Sequence, residues 1–356
     1  MARLDQRFQR CQRKTPGPSV LANSNLDLEL VNAFAVRRWK QLQSTASGFD
    51  AGNYLTRNFV DSNRGVRLSC YPVNQTGDNP QNIPKHITVA IIPARFASTR
   101  LPGKALIDIA GKPMVCWVAE RALAARNVDR VIVATDSEEI VEAVQSRGIE
   151  VMLTSSQHTS GTDRVAEVAA AIPEADIIVN VQGDEPLISP QTIEKAVDVM
   201  AAEMRKRGGA GIVTTWEPIE SSTDLFDPDL VKVVVDDDDN AIYFSRSPVP
   251  FPRDAAKRHG SPEVAIEEEP DLLKLFRKHT GLYVYRRDVL LEFTQWPQAQ
   301  LEQTEALEQL RALAHGVKIK VVEACSSSIG VDTHVDLERV RSTISEAGSR
   351  TGATNA

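Results

Sequence analysis

The stretch ITVAIIPARFASTRLPGK, residues 87–104, opens with a nearly unbroken apolar run from Ile87 to Pro93. A strand covered on both faces needs such a run, whereas a half-exposed strand would alternate polar and apolar residues. The run ends in a loop that carries Arg95, Arg100 and Lys104, the hydroxyls of Ser98 and Thr99, and Gly103. Three cations and several unpaired backbone N–H groups in one loop suit a polyphosphate. A solvated basic turn is the plainer alternative. The position weighs against it, because open α/β sheets gather ligands beyond the C-terminal ends of their strands. The loop has neither GxGxxG nor GxxxxGK[ST] spacing, so neither a dinucleotide fingerprint nor a P-loop is present.

Strand and helix patterns alternate outward from this point. Helices are expected at Met114 to Ala125, Ser137 to Arg147 with Ser137 as cap, Thr162 to Ile172 and Pro190 to Arg205. Strands are expected at Arg130 to Thr135, Glu150 to Leu153 and Asp176 to Val181. This alternation predicts an α/β fold with a mainly parallel, Rossmann-like sheet. The second half reads as more antiparallel. Val231 to Val235 and Ala241 to Phe244 flank Asp236 to Asn240, which predicts a hairpin with a solvated acidic turn. A metal site in those aspartates is the sharper alternative. Residues 253–270 read as a polar surface excursion. Thr280 to Tyr285 and Lys318 to Val322 read as strands, with helices at Leu301 to Ala314 and His334 to Ile344.

A second ligand-facing loop follows the strand ending at Val181. Asp184 lies just beyond it, where a carboxylate facing a triphosphate is the natural ligand for Mg²⁺. It could instead cap the next helix, but Pro186 and Ser189 already serve the turn and the cap. Asp332, after another strand-like segment, is a second candidate ligand, with Thr333 the better cap for the last helix. Two carboxylates from separate loops match a metal clamp in phosphoryl-type transfer.

Composition bounds the rest. The chain has 356 residues, a formal charge of −7 and 42% hydrophobic residues, enough for a large core. Mild acidity argues against a nucleic-acid binder. No apolar run reaches the roughly 18–20 residues of a membrane span. Cys11, Cys70, Cys116 and Cys325 are scattered without a CxxC pair and read as inert thiols in a reducing compartment. Residues 1–86 are rich in Arg, Asn, Gln and Ser, and read as a mostly disordered extension with one short amphipathic helix, Leu28 to Leu42. A transit peptide and an upstream start codon are the other readings. Residues 87–345 read as one continuous domain with an inserted lobe, and 346–356 as a disordered tail.

The motifs together resemble the cytidylyltransferases that activate 3-deoxy-D-manno-octulosonic acid (KDO). They are IIPARFASTRLPGK (91–104), VATDSEEI (133–140), HTSGTDR (158–164), VNVQGDEP (179–186), YFSR (243–246), HTGLYVYR (279–286), LEQLR (307–311) and GVDTHVDLERVR (330–341). The first says only sugar nucleotidyltransferase; YFSR, HTGLY and LEQLR narrow it. The resemblance implies a nucleotide-diphospho-sugar transferase (GT-A-like) sheet with a smaller antiparallel dimerisation or lid lobe. It implies a cytoplasmic, Mg²⁺-dependent homodimer that makes CMP-KDO from CTP and KDO for lipopolysaccharide biosynthesis. Arg95 and Lys104 would then hold the triphosphate, with Ala94, Ser98, Thr99, Arg100, Ser160 and Gly161 lining the nucleotide pocket. Asp184 and Asp332 would ligate the metal. Gln182, Arg246, His279, Tyr283, Glu308 and Gln309 would surround the sugar acid. Ala299 to Glu305 departs from the family pattern in lacking a proline and a histidine before LEQLR.

Overall fold

The structure, a computed structural model, describes residues 54–61, 65–72, 85–96 and 101–352. The chain divides into two units, Met1–Ile83 and Pro84–Ala356. In the first, Tyr54–Asp61 and Gly65–Pro72 form an antiparallel pair, in register from Tyr54 opposite Pro72 to Asp61 opposite Gly65. The helix expected at Leu28 to Leu42 lies outside the described residues.

The second unit is built on a nine-stranded sheet. Its strands are β1 (Thr88–Ala94), β2 (Arg130–Thr135), β3 (Glu150–Leu153), β4 (Ile177–Asn180), β5 (Ile212–Pro218), β6 (Lys232–Val235), β7 (Ala241–Ser245), β8 (Arg277–Arg286) and β9 (Ile319–Glu323). The order is β7-β6-β8-β4-β1-β2-β3, with β5 paired to both β8 and β9. The strands β4, β1, β2 and β3 are mutually parallel, and β9 runs parallel to β5. The strand β8 runs antiparallel to β4, β5 and β6, and β6 antiparallel to β7.

Burial of β1 on both faces explains its apolar run. Ala90 and Ile92 point into one core with helices α1 (Met114–Leu123) and α4 (Pro190–Glu203). Val89 and Ile91 point into the opposite core with α3 (Gly161–Ala170). Period-two alternation sends successive side chains to opposite faces, so every residue of β1 needs an apolar partner. Helix α2 (Glu138–Gln145) starts as expected: Ser137 Oγ accepts from Ile140 N. Ser189 caps α4 in the same way, through Thr192 N.

Four sequence expectations are revised. Ile212–Pro218 forms a strand that was not anticipated, although its Ile-Val-Thr-Thr-Trp run is β-branched and aromatic. Residues 253–270 are not a bare excursion but form α5 (Arg253–His259) and α6 (Pro262–Glu268), followed by a 3₁₀ turn, Pro270–Leu275. Gly260 at φ 94 ends α5, Ser261 caps α6, and Ala265 and Ile266 are buried. The helix expected over Leu301 to Ala314 is two helices, α7 (Gln300–Glu305) and α8 (Gln309–Ala314), broken where Ala306 turns left-handed at φ 51. The last helix, α9 (His334–Gly352), runs beyond Ser345.

The acidic turn is solvated. Asp236 Oδ1 accepts from the N–H groups of Asp238 and Asn240 at 2.9 and 2.8 Å, so its carboxylate closes its own hairpin. Cys116 is buried and Cys325 exposed, and both are free thiols. Among the described residues, no helix is long and apolar enough to cross a membrane.

Candidate active site

The topology fixes where a ligand can sit. From β1 the chain steps outward through β2 to β3, then returns to place β4 on the other side of β1. The C-terminal ends of β1 and β4 therefore lie side by side at the point where the strand order reverses, which is the ligand crevice of open α/β sheets. Gly183 makes the approach possible, since a Cβ there would stand 2.8 Å from Pro93 O. Only glycine lets the loop after β4 lie against the end of β1.

A cavity of about 430 Å³ opens at this point. Ala94, Arg95 and Lys104 line it from the loop after β1, and Gln182, Gly183 and Asp184 from the loop after β4. Thr159, Ser160 and Gly161 bring the N-terminus of α3 to its wall. Ser160 Oγ accepts from Asp163 N at 3.1 Å, so the hydroxyl caps the helix. Oriented N–H groups at a helix start favour an anion. Asp332 and Glu308 complete the lining.

Lys104 is the centre of the charge pattern. Gly103, left-handed at φ 63, turns the chain into the 3₁₀ turn Lys104–Leu106. The Lys104 ammonium then lies 2.6 Å from Asp184 Oδ2 and 3.0 Å from Asp332 Oδ1. The two carboxylates, 148 residues apart in sequence by subtraction of their numbers, thus meet on one cation. Val331 N donates to Asp184 O at 2.9 Å and ties the two loops together through the backbone. Thr333 Oγ1 accepts from Asp336 N at 3.2 Å, capping α9 and leaving Asp332 outside the helix.

Of the residues expected around the sugar acid, Gln182 and Glu308 line this cavity and the others do not. Gln182 Nε2 donates to Gly281 O at 3.2 Å. A Cβ on Gly281 would lie 2.9 Å from Gln182 Cγ, which accounts for the glycine in HTGLY, at the register shift of β8. His279 Nε2 is 2.9 Å from Thr214 Oγ1, and its ring lies 5.0 Å from Phe244 and 5.4 Å from Tyr283. Burial pushes the His279 imidazole down to about 3. Burial, then Tyr285 and Glu308, raises the Tyr283 hydroxyl well above its usual range. Glu308 lines the cavity and accepts from Thr162 Oγ1 at 2.7 Å. Arg246 does not line it: Nε donates to Glu305 O at 2.8 Å and Nη1 to Pro228 O at 2.9 Å. Gln309 is buried in α8. Ser98, Thr99 and Arg100 lie outside the described residues.

Two charged residues were missed. Arg164, only 4% exposed, lines the cavity with Nη2 2.7 Å from Asp136 Oδ2. An arginine amid Val165 and Val168, with Asp136 just past β2, was the available signal. Glu185 is the second. Burial, then the adjacent Asp184 charge, pushes its carboxyl up to about 7.

Chemically, the cavity offers cations and helix N–H groups to phosphates, with two carboxylates facing them. Among the described residues, Ser160 caps its helix and His158 pairs with Glu167.

The likenesses to known proteins agree with this geometry. A family model described as cytidylyltransferase matches residues 89–319. A Geobacter sulfurreducens protein named 3-deoxy-manno-octulosonate cytidylyltransferase is 53% identical over 251 residues, 70% of this chain and 96% of that protein. The Yersinia pseudotuberculosis protein of the same name is 49% identical over 256 residues, 71% of this chain and 96% of that one. A CMP:2-keto-3-deoxy-manno-octonic acid synthetase solved in complex with CTP superposes with a TM-score of 0.65 at 41% identity. That match covers 73% of this chain and 99% of that chain.

Proposed function

This chain belongs to the 3-deoxy-manno-octulosonate cytidylyltransferase family, and we propose that it transfers CMP from CTP to KDO, releasing pyrophosphate. The observation that carries the reading is the meeting of Lys104, Asp184 and Asp332 at the β1/β4 crevice. The reaction needs an in-line displacement in which the anomeric hydroxyl of the sugar acid attacks the α-phosphorus. No covalent nucleophile is required, so positioning and charge stabilisation account for catalysis. Arg95 and Lys104 hold the triphosphate and offset the charge that develops on the leaving pyrophosphate. The start of α3, with Ser160 and Gly161, cradles the nucleotide. Gln182 and Glu308 face the sugar acid from within the cavity, with His279, Tyr283, Arg246 and Gln309 behind them.

The donor set fits Mg²⁺, which takes one or two carboxylates together with phosphate oxygens. Asp184 and Asp332 are the residues that would hold it, since both already converge on a single cation. When bound, the ion neutralises phosphate oxygens in the transition state. In this reading Lys104 leaves its carboxylate partners for the phosphates as the nucleotide arrives.

The protein works as a cytoplasmic homodimer in this proposal. The strand β7 forms one edge of the sheet, and Ile242 on it and Phe251 just after it are 60% and 63% exposed. An apolar edge of that kind is normally covered. The test is pyrophosphate release from CTP and Mg²⁺ with a panel of sugar acids. KDO should support turnover. Release with a nine-carbon sugar acid alone, or CTP binding with no release for any acid, would overturn the proposal.

A further inference from the structure

The strand β7 and the break between α7 and α8 meet at one carboxylate. Glu305 is the last residue of α7. Its Oε1 accepts from Tyr243 Oη at 3.1 Å and Ser245 Oγ at 2.7 Å. Its Oε2 accepts from Arg246 N at 3.0 Å, while its main-chain oxygen takes Arg246 Nε at 2.8 Å. One residue therefore grips Arg246 at both ends, by backbone and by guanidinium. Pro228 O takes Nη1 at 2.9 Å, so two carbonyls fix the plane of the fork. An arginine held this way has lost the rotamer freedom that a free side chain gives up on binding.

Glu305 also stands at the start of the elbow that delivers Glu308. The left-handed Ala306 follows it directly, and Glu308 reaches the cavity two residues later. A buried pair steadies the far side: Arg311 Nε donates to Glu302 Oε2 at 2.9 Å, with Glu302 only 3% exposed. The charge of Glu305 is further called for by a second cation. Lys232 is fully buried, with Nζ 2.8 Å from Asp227 O and 2.6 Å from Leu230 O. Burial lowers the Lys232 ammonium and Arg246 lowers it further, while Glu305 and Asp227 oppose the shift. Burial alone would raise the Glu305 carboxyl, but the bonds from Arg246, Ser245 and Tyr243 hold it below the usual range.

We infer that Glu305 is a positioning residue for the sugar acid: it fixes Arg246 behind the cavity and sets the elbow that presents Glu308 within it. The inference rests on the reading of Arg246 and Glu308 as sugar-facing groups. A residue that merely closed off the end of β7 would affect stability and both substrates alike. A positioning residue affects the sugar acid selectively.

The test uses the full-length protein with CTP, Mg²⁺ and KDO, comparing Glu305→Gln, Arg246→Ala and the double variant. Losing one charged hydrogen-bond set corresponds to about tenfold in affinity. Glu305→Gln should raise KM for KDO about tenfold while leaving KM for CTP within about twofold. The double variant should lose less for KDO than the two single changes combined, because part of the Glu305 effect runs through Arg246. Wild-type KM for KDO in Glu305→Gln, an equal rise for CTP, or additive losses in the double variant would overturn the inference. If Arg246→Ala itself leaves KM for KDO unchanged, the underlying assignment of Arg246 fails instead. Should Glu305→Gln not fold, Ser245→Ala removes the 2.7 Å donor to Glu305, together with the acceptor of Ser247 N. A selective rise in KM for KDO there supports the inference, and no rise overturns it.

Discussion

In the proposed reading, Lys104, Asp184 and Asp332 form the smallest unit that carries the function. Their side chains are 13%, 36% and 55% exposed, so the ion pairs add little to stability in water. Asp184→Ala should therefore leave the melting temperature near wild type while cutting turnover by about 10²-fold or more. Pyrophosphate release and a thermal melt read both; wild-type turnover in this variant would remove Asp184 from the chemistry. His279 is the reverse case, a residue whose protonation matters to stability. Its imidazole falls from 6.5 in the unfolded chain to about 3 in the fold. Between those values the unfolded state binds the extra proton, so the stability present above pH 6.5 is lost as pH falls toward 3. The slope is about 1.4 kcal/mol per pH unit at most. Urea midpoints at pH 7.5 and 5 should drop more for wild type than for His279→Gln, and equal drops would contradict the burial argument. At this scale Arg95 and Asp184 were legible because each follows an apolar run at a strand's end, whereas the strand-like segment expected just before Asp332 is not a strand, the preceding one being Ile319–Glu323. The Lys104 bridge was not legible, since no spacing joins residue 104 to 332. Arg164 was missed because a buried arginine makes sense only once Asp136 is seen beside it.

Elements were legible where one periodicity dominates. The strands Arg130–Thr135 and Glu150–Leu153 fall where their apolar runs end. The failures share a cause: a tertiary contact overrode a local pattern. Leu301 to Ala314 reads as one helix, yet the Glu302–Arg311 pair and the Glu305 contacts are met only if the chain breaks at Ala306. A left-handed alanine costs about 1–2 kcal/mol that glycine avoids. Ala306→Gly should raise the melting temperature by roughly 2–4 °C, measured by calorimetry; a fall would mean the elbow is held by something other than its backbone angle. The strand Ile212–Pro218 was overlooked because it lies between a helix and polar turns. Its pairing partners β8 and β9 are far away in sequence.

The whole molecule is organised by the reversal of strand order beside β1. That reversal brings the loops after β1 and β4 together, and the sheet's parallel core was predicted by strands alternating with helices. The antiparallel half was read only in outline, because β8 must be long enough to pair with β4, β5 and β6 at once. The cytidylyltransferase family model matches residues 89–319, which lie within the second unit. A chain beginning at Pro84 should keep kcat and both KM values within about twofold, since the residues that line the cavity all belong to the second unit; a large loss of turnover would give residues 1–83 a catalytic role. The account as a whole depends on one location for the nucleotide. A crystal structure of the full chain with CTP and Mg²⁺ tests it most directly. The account predicts the triphosphate in the cavity between Lys104 and the start of α3, facing Asp184 and Asp332. A nucleotide bound anywhere else, or one whose phosphates face away from both aspartates, would contradict it.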